Sequence, residues 1–152
     1  MENAAQDMRS QVLLEGLDDS ELVNLSKSLT VLKVLKDEFV FREKGACRGI
    51  YMIRSGRVEI SKTTPDGWKQ PLVILGADSF IGEIATIEKT DHATDARAIE
   101  VSELLLFPKE EFEGLQKTEP QIMLKIIRNI AIVAALNVRR MNEKFIKVLV
   151  NY

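Results

Sequence analysis

The residues best suited to chemistry in this chain lie in one short stretch, Phe80-Ile81-Gly82-Glu83-Ile84-Ala85, and in the polar loop after it that runs through His92 and Ala93. A Gly-Glu step opening a short apolar turn is how a chain builds a small cradle for an anion and a sugar. Gly82 lets a backbone N–H approach a ligand closely. Ile84, Ala85 and Ile87 suit a short helix whose free N–H groups point at a negative charge. The Glu83 carboxylate accepts hydrogen bonds from ribose hydroxyls. An ordinary tight turn between strands carries the same step, so the flanking elements must decide between the two readings.

Composition narrows the classes. The 152 residues, 45% hydrophobic and 29% charged, have the proportions of one soluble globular domain. A net charge of −2 supplies no basic field for nucleic acid. Cys47 is the sole cysteine and His92 the sole histidine, which excludes an internal disulfide and a cysteine- or histidine-rich metal site. Residues 1–12 are polar and do not read as a signal peptide. The longest strongly apolar run, Ile130 to Leu136, is far too short to span a bilayer. The expected compartment is the cytoplasm. No enzyme is expected: phosphate-loop and Gly-x-Ser-x-Gly motifs are absent, and Asp18/Asp19 and Glu110/Glu111 stand at helix starts, where capping and dipole effects explain them.

The elements that position the cradle follow from the hydrophobic period. Residues 9–29 have a helical pattern broken at Gly16, with Asp18-Asp19-Ser20-Glu21 as a cap, which predicts two short helices. From Val31 the period is two. Strands are predicted over 31–35, 38–41, 50–53, 57–62, 68–75, 94–100 and 103–107, with turns at Lys36-Asp37, Arg54-Ser55-Gly56 and Thr63-Thr64-Pro65-Asp66-Gly67. Short strands at such even spacing predict an all-β roll or barrel over residues 31–107.

Pro108 to Leu115 reads as one or two helical turns, and Pro120 as the first position of the longest helix. Leu124, Ile127, Ala131, Ala134, Val138, Met141, Phe145 and Val148 recur at alternating steps of three and four, a coiled-coil seam of about four heptads. A second stripe, Met123, Ile126, Ile130 and Val133, covers an adjacent face. One stripe can dock on the roll while the seam takes a partner, which predicts a two-fold homodimer through Leu124–Val148. The other reading buries both stripes on the roll.

With these elements in order, the chain resembles the cyclic-nucleotide-binding domain of the catabolite-activator and protein-kinase-A regulatory-subunit superfamily. The resemblance runs from Leu17 to about Val148. It rests on Gly45 and its loop, Tyr51-Met52-Ile53-Arg54-Ser55-Gly56-Arg57-Val58, Asp66-Gly67, Phe80-Ile81-Gly82-Glu83-Ile84-Ala85 and the Pro120 helix. It implies a mainly β fold with flanking helices: a jelly-roll-like, double-stranded β-helix roll, short N-terminal helices and a long C-terminal helix, all in a single domain over 1–152.

The resemblance also implies a ligand, cyclic AMP or cyclic GMP. In members that bind one, the Glu of the Gly-Glu step takes the ribose hydroxyl. An Arg ten residues after the Gly clamps the cyclic phosphate and is followed by Ser, Thr or Ala. Here Gly82 and Glu83 match, but the tenth residue is His92, followed by Ala93. Arg97-Ala98 keeps register downstream, so this is a substitution. Arg offers a permanent charge in a planar fork, whereas a neutral His offers one donor. Glu88, Asp91 and Asp95 add negative charge nearby. Binding is expected to be weaker by roughly one to two decades. For His92 the alternative is an exposed loop residue with no ligand role, and Arg97 is a substitute cation only if its strand turns it inward. Asn142, by register with the family's purine contacts, is either a base ligand or a solvated helix position.

The expected ligand-binding set is therefore Phe80, Gly82, Glu83, Ile84, Ala85, His92, Ala93 and Asn142, with no metal. The expected function is a regulatory sensor module that signals through the long helix to an effector protein. One alternative is a scaffold of the same fold without a nucleotide. Another is the sensor part of a transcription regulator, since the helix-turn-helix such a regulator needs does not follow the long helix here. Neither nucleic acid nor membrane is an expected partner of this chain alone.

Overall fold

Alternating apolar and polar residues build eight strands, β1 (Thr30–Val34), β2 (Phe39–Phe41), β3 (Gly49–Ser55), β4 (Val58–Thr63), β5 (Lys69–Leu75), β6 (Phe80–Ile81), β7 (Asp95–Ala98) and β8 (Ser102–Pro108). The computed structural model describes residues 7–151. Residues 1–6, the first half of the polar N-terminal stretch, and Tyr152 lie outside the described residues. The strands pair antiparallel in two four-stranded sheets, ordered β1-β8-β3-β6 and β2-β7-β4-β5. This is the jelly-roll order. The period-two pattern predicts every strand but β6, whose two residues are too few to show a period.

The central strands face two cores at once. On β3, Ile50 and Met52 join the helix-side core while Tyr51 and Ile53 point between the sheets. On β8, Leu105 and Phe107 take the first side, Leu104 and Leu106 the second. Successive strand side chains point to opposite faces, so a run that is apolar throughout is the signature of a strand covered on both.

The helices are α1 (Asp19–Ser26), α2 (Glu83–Glu88), α3 (Lys109–Thr118) and α4 (Pro120–Val150), with a 3-10 turn at Val12–Leu14. The turn and α1 are the two short helical pieces expected on either side of Gly16. Asp18 caps α1 through a capping box with Glu21.

Only the second stripe of α4 is buried. Ile126 and Ile130, together with Ile122, enter the helix-side core, and Met123 and Val133 pack at its edge. Buried Asn129 on the same face donates to the carbonyls of Leu13 and Glu15 at 2.8 and 2.9 Å. The seam faces outward: Leu124 is 69% exposed, Met141 68% and Phe145 63%. From Ala134 to Asn151 every residue is exposed. By length and composition alone α4 is long and apolar enough to cross a membrane. The short run Ile130 to Leu136 gives no hint of this, because the apolar residues lie in stripes with Lys125, Arg128, Arg139 and Arg140 between them.

Candidate functional site

The cradle forms where β6 ends. Gly82 caps the N-terminus of α2 in a left-handed conformation, φ +85. A Cβ there would lie 2.8 Å from the Gly49 carbonyl oxygen and 3.5 Å from the Tyr51 ring. Glycine is thus demanded by conformation and by space. The Thr86 hydroxyl donates back to the Gly82 carbonyl at 2.8 Å, and the buried Cys47 sulfur lies 3.3 Å from that hydroxyl. α2 ends at Lys89, also left-handed at φ +57.

His92 is buried, not exposed. Only 4% of its surface is accessible, and its ring stacks on Phe41 with centroids 3.7 Å apart and planes 8° from parallel. Its Cε1 lies 3.6 Å from where a Gly82 Cβ would stand. Two reciprocal backbone hydrogen bonds hold it to the Gly45 loop, Lys44 N to the His92 carbonyl at 2.7 Å and His92 N to the Gly45 carbonyl at 3.0 Å. Nε2 is fully buried and has no hydrogen-bond partner among the described residues. Burial holds the imidazole below its ordinary pKa, against a weaker upward pull from Asp91, which favours the neutral form.

Glu83 is half-buried. Desolvation raises its carboxyl above the ordinary value, against a downward pull from its own backbone N–H. Among the described residues it pairs with no Lys or Arg.

Asp95 does not add free negative charge beside the cradle. It is buried, accepting from Lys69 Nζ at 2.7 Å and from the Glu43 N–H at 2.7 Å, with Arg42 Nε at 3.5 Å. Burial pushes its carboxyl up, but these partners together hold it below the usual range. Arg97 is turned away, as strand alternation allows: it binds Asp37 at 2.6 Å and Glu59 at 3.4 Å. Lys62 Nζ donates to the Ala93 carbonyl at 2.8 Å.

The structure brings His92 against Gly82, the residue that opens α2 with Glu83 and Ala85, and Ala93 lies next along the loop. Three expected ligands sit elsewhere. Phe80 belongs to the helix-side core, because β6 turns it toward α4. Ile84 is 62% exposed on the outer face of α2. Asn142 is exposed in the unpacked half of α4. Sequence reasoning missed Phe41 and Tyr51, which wall the site from β2 and β3. Nothing local marks them, since each reaches the cradle only through sheet pairing.

Against known sequences, the pattern of the cyclic nucleotide-binding domain family matches residues 31–119, from β1 to the loop after α3. The chain belongs to this family. A relative, the CRP-like cAMP-activated global transcriptional regulator of Mycobacterium tuberculosis, is 24% identical over 131 residues, covering 86% of this chain and 57% of that protein. Lysophospholipase NTE1 of Chaetomium globosum is 27% identical over 110 residues, 72% of this chain and 7% of that one. Among solved structures, the regulatory subunit of a cAMP-independent protein kinase A from Trypanosoma brucei superposes with a TM-score of 0.79 at 18% identity, covering 95% of this chain and 51% of that one. The cyclic nucleotide-binding domain described here thus spans between 7% and 57% of these three chains. The family is one of regulatory ligand-binding domains, and in the fungal lysophospholipase such a domain is one part of an enzyme.

Proposed function

We propose that this cyclic nucleotide-binding domain is a regulatory sensor whose phosphate arm has degenerated. The observation that carries the reading is the buried His92 against Gly82, at the position where ligand-binding members carry an Arg. Glu83 supplies acceptors for ribose hydroxyls at the start of α2. Without a guanidinium, binding of cyclic AMP or cyclic GMP is weaker by roughly one to two decades. A mutant form of the trypanosomal subunit is bound to cAMP, which supports the same ligand class on this fold.

Signalling runs to α4. β6 and α4 share the helix-side core, and the Val12 N–H bonds the Asp78 carbonyl just before β6 while Asn129 holds the other end of the same turn. A ligand that fits one arrangement of α4 better than another shifts the population by that difference. The exposed seam of α4 supports a homodimer and offers a face to an effector, in the cytoplasm.

Calorimetric titration with cyclic AMP and cyclic GMP, on wild type and on His92→Arg, tests this. Micromolar binding by wild type, tightened by the Arg, supports the sensor. Because burial lowers the His92 pKa, affinity should change less between pH 6 and pH 8 than an ordinary imidazole would make it. No binding by either protein leaves the second reading, a scaffold of the same fold, which the uncovered seam favours. The mycobacterial relative supports the further alternative of a sensor region within a longer transcription regulator.

A further inference from the structure

The outer half of α4 has a composition of its own. Over residues 136–150 the charged groups are Arg139, Arg140, Lys144 and Lys147 against Glu143 alone, in a chain whose net charge is −2. Among the described residues none of these four cations pairs with a carboxylate. The last two turns are apolar nearly all round. Phe145, Ile146, Val148, Leu149 and Val150 are each more than half exposed, with Lys147 the one charge among them. At 3.6 residues per turn, Phe145 and Val148 lie on the seam, whereas Ile146 and Val150 turn away from it. A two-stranded coil through the seam covers the first pair and leaves the second in water. The positions flanking the seam here are Asn137, Asn142, Lys144 and Leu149, so no ion pair crosses to a second copy. Nucleic acid would engage the cations and leave the apolar side chains uncovered.

We infer that residues 136–150 of α4 form a binding site for an anionic phospholipid surface. Ile146, Leu149 and Val150 enter the boundary between headgroups and acyl chains, and Arg139, Arg140, Lys144 and Lys147 meet the lipid phosphates. A helix on a membrane surface needs an apolar face and cations beside it, not the roughly 20 apolar residues of a spanning helix. The long stems of Lys and Arg keep the charge at the phosphates while their methylenes follow the apolar face. A neutral bilayer meets only the apolar half of this surface, and an anionic one meets both halves. Ile146 and Val150 are open whether or not two copies pair through the seam, and the site does not depend on what the cradle holds.

The test is co-sedimentation of the chain, at low and high salt, with vesicles of phosphatidylcholine and of phosphatidylcholine with about 30% phosphatidylserine. Wild type should bind the anionic vesicles at least about tenfold more tightly than the neutral ones, and high salt should erase most of that difference. Arg140→Gln with Lys147→Gln should weaken binding roughly fivefold per cation removed. Ile146→Ser with Val150→Ser should weaken it at least about tenfold. Sedimentation without vesicles should keep the wild-type association state in both variants, because none of the four positions lies on the seam. All four are exposed, so thermal unfolding should stay as in wild type. Equal binding to the two vesicles, or anionic binding that neither variant weakens, overturns the inference. So does a chain that stays in the supernatant with both vesicles, which leaves the arm to a protein partner. Tighter binding to a DNA duplex than to the anionic vesicles also overturns it and makes the cations a nucleic-acid patch.

Discussion

Phe41 and His92 lie face to face, 3.7 Å between ring centroids, and that contact closes the cradle from the side of β2. It also biases the charge of the imidazole. A ring covered on one face by Phe and held against Gly82 loses its water, which favours the neutral form.

The first consequence is a pH dependence of stability. The native pKa of His92 lies below its ordinary value. At pH values between the unfolded pKa of about 6.5 and the lower native one, the unfolded chain binds a proton that the native chain does not. Stability therefore falls as pH falls through that window and is fully retained above it. Thermal unfolding at pH 7.5, 6.5 and 5.5 should show a smaller loss for His92→Gln than for wild type. Equal slopes would remove the buried-neutral assignment.

Glu83 behaves in the opposite sense. Its native pKa is raised by desolvation, so its ionised form costs stability at neutral pH, and that cost disappears on acidification through the raised pKa. Glu83→Gln should unfold at a higher temperature than wild type at pH 7, with the difference shrinking toward pH 4. The same variant should lose ligand affinity, a stability–function trade-off. A lower Tm at pH 7 would contradict the assignment.

Asp95 is the polar anchor of the β2–β7–β4 sheet. Asp95→Ala removes the acceptor for the Glu43 N–H and the shared partner of Lys69 and Arg42. The expected loss is about 1–3 kcal/mol, the cost of stranding buried groups, measured by urea unfolding. Because its native pKa is depressed, the stabilisation from Asp95 is present above its unfolded pKa of about 3.8 and is lost as pH falls through the native value.

Asn129→Leu keeps the branched heavy-atom outline and removes both bonds to the Leu13 and Glu15 carbonyls. It should cost about 1–3 kcal/mol for the carbonyls left behind. Hydrogen exchange should rise in residues 11–15 and at the base of α4 together. Faster exchange confined to α4 would mean that the turn holds by other contacts.

The α4 seam predicts its own test. Val138→Glu with Met141→Glu places charge on two exposed seam positions, 56% and 68% accessible, so the roll should unfold at an unchanged temperature. Sedimentation at micromolar concentration should move from dimer to monomer. A monomeric wild type would remove the dimer and leave the seam to an effector.

Much of this was legible in the chain, and the reason is locality. Period two marks strands such as β3 and β8, period three-and-four marks the stripes of α4, and the capping box at Asp18–Glu21 and the left-handed glycines are local signals. The Gly82–Glu83 step was equally local. The surroundings of His92 were not. Phe41, Tyr51 and the Gly45 loop reach it across sheet pairings and loops that no spacing encodes, and the neutralisation of Asp95 by Lys69 joins β7 to a strand 26 positions earlier in the chain. β6 was invisible because two residues carry no period. Ile84 and Asn142 were placed by analogy of position, and position alone does not say which way a helix turns its side chains.

The docked base of α4 ends near Ile130, and the free portion continues to Val150, a rigid arm of about 30 Å at 1.5 Å per residue. Ile126, Asn129 and Ile130 are its last buried anchors and so the natural fulcrum of any tilt. A tilt of about 10° there carries the tip through about 5 Å, since an intact helix moves as a rod. Under the proposed sensor reading, a displacement of a fraction of an ångström at the cradle wall, passed to that fulcrum, would be multiplied into a stroke wide enough to part or join two surfaces.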